Sequence, residues 1–494
     1  MNYRLLCKII GGILVIEAVF MLLPVIVAVI CHEPDWKAFL VTLIASAAVG
    51  AGLFRIKLKS RKMYAKDGLV TVGLVWIIMS LVGAVPFTLT GALPNYMDAF
   101  FESVSGFTTS GITIFPDVEI LSHAILFWRS MLHWIGGMGV LVFMLAISPI
   151  VGGSSIQLMK AEAPGPVTEK ITPKISQTAK WLYVMYFILT GAQIISLTIS
   201  GMTVFQSTLF AFSTLGTGGF SSLNSSVIGL TYAQQVIIEV FMFLAGVNFS
   251  LYFLVITGKV KRVFKDIELR WYAIILLVGM FFMFLNLLLV EKQFDSFAEA
   301  LHQSAFAALS AMTSTGFAAD NYVLWPDFSR AIIMILMFIG GCAGSTAGGI
   351  KVSRVILMLK TVKGYIRKTV FPNEVKSIRY NGRMVPEVVV RSVVMYFTVI
   401  FLIMGASVLV VSAEQNISID TAVSTVATSL NNNGIELSDA VLCEFWNYHW
   451  WTKLTYIIDM LVGRLEIFPI MALFIYLFKP VENLGKKIKR KAIY

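Results

Sequence analysis

Four short runs hold the groups best placed to do chemistry: Phe101–Ile112 (FESVSGFTTSGI), Phe210–Phe220 (FAFSTLGTGGF), Phe306–Phe317 (FAALSAMTSTGF) and Val423–Ile435 (VSTVATSLNNNGI). Each is helix-compatible, ends in a Ser/Thr/Asn-containing polar cluster, and closes on a glycine followed by Ile or Phe. The glycines Gly111, Gly219, Gly316 and Gly434 recur roughly every hundred residues, too far apart for a solenoid and suited to a domain-sized unit used four times. Glycine lacks a Cβ and tolerates φ > 0, so the carbonyls before it can turn toward a shared axis. Carbonyls arranged that way replace the hydration shell of a cation. The predicted ligands are Thr109, Ser110 and Gly111; Thr217, Gly218 and Gly219; Ser314, Thr315 and Gly316; and Asn432, Asn433 and Gly434. None is a carboxylate, so the ion is expected to be monovalent and held by dipoles.

A second candidate is GGCAGSTAGG, Gly340–Gly349, which interrupts an apolar helix expected from Ala331. The helix covers about 13 Å at 1.5 Å per residue, so the break falls near the middle of a roughly 30 Å hydrocarbon core. Irregular backbone survives there only where it lines a cavity or is buried in protein. Gly340, Gly341, Gly344, Ser345, Thr346, Gly348, Gly349 and Lys351 are therefore expected to form a hinged gate beneath the four runs. Arg464 lies at comparable depth and needs acceptors. Asp459 and Glu466 fall outside the spacings that meet on one helix face, so the loop carbonyls are its expected partners, with pairing to another helix as the alternative.

Other chemistries lack a constellation. GSTAGGIK is superficially like a phosphate loop, but Ile350 separates the glycine from Lys351 and no strand precedes it. No HExxH or GxSxG is present, and no pair of intramembrane carboxylates at helical spacing, so an enzyme is not expected. Cys7, Cys31, Cys342 and Cys443 form no CxxC, and the five histidines show no metal-ligand spacing. Arg129 and His133, one turn apart, read as a structural polar pair, and Gly136, Gly137 and Gly139 as helix-packing positions.

The elements that must position these residues are membrane helices. The chain is 57% hydrophobic and 14% charged, against about 25% charged for soluble domains, and apolar runs long enough to span a bilayer recur. The fold class is an all-α polytopic membrane protein: an amino-terminal two-helix hairpin, then four helix/pore-helix/helix modules around a central pore. The expected divisions are 1–67, hairpin and basic loop; 68–150, first module; 151–260, linker and second module; 261–362, third module with the gate loop; and 363–494, cytoplasmic segment, fourth module and basic tail. Expected spans are Ile9–Ile30, Ala38–Phe54, Leu69–Thr90, Ala124–Ile147, Trp181–Ile199, Gln234–Ile256, Trp271–Val290, one from Ala331, Ser392–Val411 and Leu454–Phe478, about ten crossings. The basic segments RIKLKSRKMYAKD, GKVKRVFKDIELR, Lys351–Arg391 and the tail GKKIKRK then share one side, which the positive-inside rule makes cytoplasmic, with both termini. All four glycine loops face the other way, as in parallel repeats about an axis along the membrane normal.

At these residues the sequence resembles the Trk/Ktr/HKT superfamily of potassium transporters, most closely its TrkH/TrkG-type membrane subunits. The four glycine runs in register, the amino-terminal hairpin, HWIGGMGV (His133–Val140), KAEAPGP (Lys160–Pro166), GGCAGSTAGGIK and the helix containing Arg464 carry the resemblance, which covers essentially the whole chain. The loops have one glycine each, and Asn432 and Asn433 stand where Thr or Ser is usual; Gly111 argues against the sodium preference that serine confers in plant relatives. The resemblance implies potassium uptake through a backbone-carbonyl selectivity filter, gated by the glycine-rich loop, in a cell (inner) membrane. It also implies a homodimer with one pore per protomer, contact with membrane lipids, and a TrkA-type cytoplasmic nucleotide-binding regulatory subunit. Potassium is the transported ion; no cofactor is expected in this chain, nor any nucleic-acid partner, and the nucleotide would sit on the partner subunit. A symporter coupled to sodium or protons on the same fold is the alternative reading, and a membrane scaffold would have no use for four polar loops at this depth.

Overall fold

A computed structural model describes residues 2–58, 60, 65–139, 175–290, 293–294, 296–373, 377–415, 417–437, 445–465 and 467–477. KAEAPGP at Lys160–Pro166, the rest of the expected 151–174 linker, the end of the expected Ala124–Ile147 span, Glu466 and the GKKIKRK tail lie outside the described residues.

The chain opens with α1 (Tyr3–Phe20), α2 (Leu22–Ile30) and α3 (Trp36–Phe54). α1 and α3 cross where Gly11 faces Gly50, and a Cβ on either would come within 2.8 Å of the other's carbonyl oxygen. Small residues at such a crossing let two membrane helices approach closely. α4 (Ala65–Leu89) is followed by the short helix α5 (Tyr96–Thr108) and by α6 (His123–Gly137). The pattern repeats with α7 (Ile175–Ile199), short α8 (Val204–Gly216), α9 (Tyr232–Gly246) and α10 (Phe249–Ile256). After α11 (Val260–Val263) come α12 (Ile267–Leu285), short α13 (Phe297–Met312), α14 (Asp327–Phe338) and α15 (Val352–Val370). A two-residue hairpin of β1 (Arg379–Tyr380) and β2 (Arg383–Met384) leads to α16 (Glu387–Val411), short α17 (Ile419–Asn431), α18 (Trp450–Leu465) and α19 (Phe468–Leu477). The fold is the all-α membrane architecture expected.

Among the described residues, six helical stretches are long and apolar enough to cross a membrane. They are α1 with α2, α3, α4, α7, α12 with the π-turn that continues it, and α16. Their outward faces carry Ile44, Ile195, Phe281, Phe282, Leu402 and Leu409, all exposed, as suits helices solvated by lipid. Three of the helices that follow the short ones, α9, α14 and α18, are broken instead. The expected Gln234–Ile256 span is two helices, α9 and α10, bent by 93°. The cause is local: Asn248 accepts the Ser250 amide at 2.8 Å and starts a new helix. α14 begins at Asp327, one turn before the expected Ala331, and stops at Phe338 where the glycine stretch starts. α18 stops at Leu465, and Ile467 takes a left-handed φ of 60° before α19.

Candidate functional site

The four short helices end alike. Thr109, Thr217, Ser314 and Asn432 all adopt the left-handed conformation, with φ of 55°, 56°, 54° and 49°. The next amide reaches back five residues in every case: Ser110 to Ser105 (2.9 Å), Gly218 to Ser213 (2.9 Å), Thr315 to Ser310 (3.0 Å) and Asn433 to Thr428 (3.0 Å). This is the Schellman closure of a helix C-terminus, usually made by glycine. A non-glycine residue there costs about 1–2 kcal/mol, and it occurs at all four sites.

Beyond that turn the loops meet in a closed ring. A Cβ on Gly111 would stand 2.0 Å from the Gly218 carbonyl oxygen, one on Gly219 2.1 Å from the Thr315 oxygen, and one on Gly316 2.4 Å from the Gly434 amide nitrogen. A Cβ on Gly434 would be 3.3 Å from the Ser110 oxygen, which closes the circle. Gly111, Gly219 and Gly316 have φ of 79°, 79° and 84°, as expected for carbonyl-turning glycines, whereas Gly434 is not left-handed. All twelve sequence-predicted ligands, Thr109 to Gly111, Thr217 to Gly219, Ser314 to Gly316 and Asn432 to Gly434, are thus brought to this ring. The carbonyl oxygens of Thr109, Ser110, Thr217, Gly218, Ser314, Thr315, Asn432 and Asn433 accept no hydrogen bond from any described residue. The hydroxyls of Thr109 and Ser110 are likewise buried without a partner among the described residues. Four helix C-termini converge here, each carrying about half a negative charge.

The ring is braced from outside. Arg129 on α6 pairs with the buried Glu102 of α5 at 2.7 Å, and Glu102 also accepts the Ile114 amide at 2.9 Å. The guanidinium reaches the Thr113 hydroxyl at 3.0 Å and lies over the Phe220 ring at 4.2 Å, so it ties the first loop to the second. His133 stacks on Phe220 with centroids 4.0 Å apart, and its Nδ1 accepts the Phe220 amide at 3.4 Å. The two asparagines are braces too: Asn432 donates to the Met460 carbonyl (2.9 Å) and Asn433 to the Ala311 carbonyl (2.7 Å). Their side chains therefore hold neighbours while their backbone carbonyls stay in the ring. Lys453 of α18 bonds Asp98 of α5 at 2.6 Å, joining the fourth unit to the first. On the far side of the ring from the helix C-termini, Glu436 is exposed between buried Ile435 and Leu437.

Beneath the ring, where the short helices end, sits the glycine stretch. Ile339 and Ile350 pair as a bridge, with the Gly340 amide on the Ile350 carbonyl at 2.9 Å. A Cβ on Gly340 would be 2.0 Å from the Gly348 oxygen, so the two limbs of the loop touch through glycine. The Gly348 amide bonds the Ser314 hydroxyl and the Gly349 amide bonds the Asn431 carbonyl at 3.0 Å. Cys342 and Gly344 hydrogen-bond Gly246 and Phe249 at the α9–α10 bend. The Gly341 carbonyl accepts the Val352 amide at 3.2 Å. Ser345 folds onto the Cys342 carbonyl at 2.6 Å, and the Lys351 ammonium onto Ala347. Arg464 donates to the Thr346 carbonyl at 2.8 Å and to the Gly136 carbonyl at 2.7 Å. The expected loop partner is present, and a second, Gly136, was not foreseen. Gly136 also packs as expected: a Cβ there would fall 1.9 Å from the Phe107 oxygen.

Sequence reasoning missed Glu102 and Lys453. Glu102 had a signal: nine residues before its glycine, it occupies the place held by Phe210, Ala307 and Thr425 in the other runs. An ionisable residue in such a helix has a partner to be found, and Arg129 is it.

The family model described as TrkH, cation transport protein, matches residues 36–484. The Trk system potassium uptake protein TrkH of Salmonella typhimurium is 35% identical over 486 residues, covering 96% of this chain and 99% of that protein. The Trk system potassium uptake protein TrkG of Escherichia coli is 32% identical over 479 residues, covering 96% and 98%. The crystal structure of the potassium transporter TrkH from Vibrio parahaemolyticus superposes with a TM-score of 0.86 at 33% identity, over 96% of this chain and 98% of that one.

Proposed function

The chain belongs to the TrkH family of cation transport proteins, and from that premise we propose that it is a potassium-uptake pore whose selectivity filter is the ring of Thr109 to Gly111, Thr217 to Gly219, Ser314 to Gly316 and Asn432 to Gly434. One observation carries the reading: eight carbonyls to which no described residue donates, at the converging C-termini of four helices. Carbonyls left unpaired at that depth need a cation or water to satisfy them. The helix C-termini add a negative potential without a fixed carboxylate, which suits a monovalent ion that must both enter and leave. The potassium uptake named for its relatives makes K+ that ion, as cargo and not as a resident cofactor.

The loop from Gly340 to Lys351 is the gate on this reading, and Arg464 is its latch. Support comes from its position against Ser314 and Asn431 and from the glycines that let it swing. Both termini lie in the cytoplasm of a cell (inner) membrane, as the basic segments require. α15 carries an exposed apolar stripe of Leu359, Val362, Ile366 and Val370 alongside Lys363, Arg367 and Lys368. That stripe suits a second copy or a TrkA-type nucleotide-binding subunit, through which nucleotide control would reach the gate. Rubidium flux into proteoliposomes, with and without imposed sodium or proton gradients, tests the function. Saturable rubidium flux that runs down its own gradient is expected. Flux that needs a sodium or proton gradient would mean a coupled symporter, and no flux in folded, partner-supplemented protein would overturn the pore.

A further inference from the structure

We propose that Cys31, Glu33 and His123 form a binding site for a transition-metal dication of the Zn2+ class, on the outer face where the amino-terminal hairpin meets α6. One donor atom from each of the three residues lies within 4.8 Å of the other two. No two of them stand at a motif spacing, so the sequence carries no signal for the site. The fold makes it, bringing the α2–α3 loop onto the first turn of a helix some ninety residues downstream.

The donor set has its own chemistry. A thiolate, an imidazole and a carboxylate are the ligands that zinc takes at about 2.0–2.3 Å, and three protein ligands with one open position make a complete exchangeable site. Tetrahedral ligands at those lengths stand roughly 3.6 Å apart, so a shift of about an ångström at most would close the present cluster. Alkali and alkaline-earth ions take oxygen ligands and would not recruit the thiol. The site is also open: Cys31 is exposed and the His123 side chain 56% exposed.

The donors are held in place by contacts that do not need a metal. Glu33 accepts the His123 amide at 2.7 Å and the Ala124 amide at 3.1 Å, capping α6. Its carboxylate also meets the His123 Nδ1 at 2.8 Å. A carboxylate has about four lone-pair directions, so capacity for a metal remains. The imidazole packs on Phe205 with centroids 5.1 Å apart, and Asp35 bonds Ser122 beside it. A bound ion would take the place of the Nδ1–carboxylate contact, with both groups turned onto the metal. Among the described residues, Cys31 has no disulfide partner.

The consequence is a clasp. A bound ion would fasten the hairpin loop to α6, the helix that carries Arg129 and His133 and whose last turn supplies the Gly136 carbonyl to Arg464. The test is metal binding to the purified full chain in nanodiscs, with Co2+ as the spectroscopic probe and Zn2+ for affinity. One Co2+ per chain is expected, with a near-ultraviolet thiolate-to-metal band that Cys31→Ser abolishes. Zn2+ affinity should fall at least tenfold in His123→Gln, and Zn2+ should raise the thermal midpoint of the parent but not of the double variant. Glu33 is left intact because it caps the helix. Absence of saturable binding, a sulfur band that survives in Cys31→Ser, or parental affinity in His123→Gln would each overturn the site.

Discussion

Removing Arg464 should open the pathway without its cytoplasmic partner. With the described residues the guanidinium makes two charge-assisted hydrogen bonds, 2.8 Å to Thr346 on the glycine loop and 2.7 Å to Gly136 at the end of α6. On the gate reading only the first is lost when the loop swings away, because Gly136 belongs to α6. A hydrogen bond to a charged group contributes about 1.5–3 kcal/mol, so Arg464→Ala should weaken the closed state by that amount. At about 1.4 kcal/mol per tenfold, the open-to-closed ratio rises roughly 10- to 150-fold. The bond to Gly136 disappears in both states and is read as a lower thermal midpoint, not as flux. Rubidium uptake by proteoliposomes lacking any partner protein measures the first effect. Arg464→Lys should fall between parent and alanine, since an ammonium can keep one carbonyl but not span two as the planar fork does. If Arg464→Ala stays folded and selective yet conducts no more than the parent, the arginine is a structural strut and the latch is wrong.

Breaking the buried Glu102–Arg129 pair by Arg129→Ala strands a carboxylate and should destabilise the protein by about 3–5 kcal/mol, seen as a large drop in thermal midpoint; a change near zero would mean the pair does not hold the ring. Glu436, exposed two residues beyond the ring glycine Gly434, should draw cations toward the ring through its carboxylate. Glu436→Gln should lower conductance at limiting potassium, and parental conductance in that variant would mean the carboxylate does not face the ion path. A cysteine placed beside Asp117 should react with an impermeant external thiol reagent and one beside Lys363 should not, the reverse pattern inverting the topology.

The ring was legible because it is repetitive: four runs that each place polar residues before a glycine leave few other uses for that arrangement. Periodicity and hydropathy likewise carry the long helices. The breaks were less legible. A bend at Asn248 or a stop at Leu465 depends on a side chain capping a new helix, or on one left-handed residue, and neither alters hydropathy. The left-handed caps at Thr109, Thr217, Ser314 and Asn432 were hidden for a related reason. Local propensity disfavours them there, and the tertiary ring selects them. Long-range partners such as Glu102 with Arg129, Lys453 with Asp98 and Arg464 with Gly136 join residues far apart in sequence. The need of each buried charge for a partner can be read in advance; which partner meets it was legible only for Arg464 and the glycine loop.

The central claim is that the glycine ring selects the ion, and bi-ionic potassium/sodium reversal potentials of single Gly→Ser variants test it most directly. The structure predicts an order. At Gly111, Gly219 and Gly316 a side chain meets both a left-handed backbone and a neighbouring loop atom at 2.0, 2.1 and 2.4 Å, so these variants should lose most of their potassium preference. Gly434→Ser, with no left-handed φ and its nearest contact at 3.3 Å, should lose least. Parental selectivity with normal flux in all four variants would contradict the account.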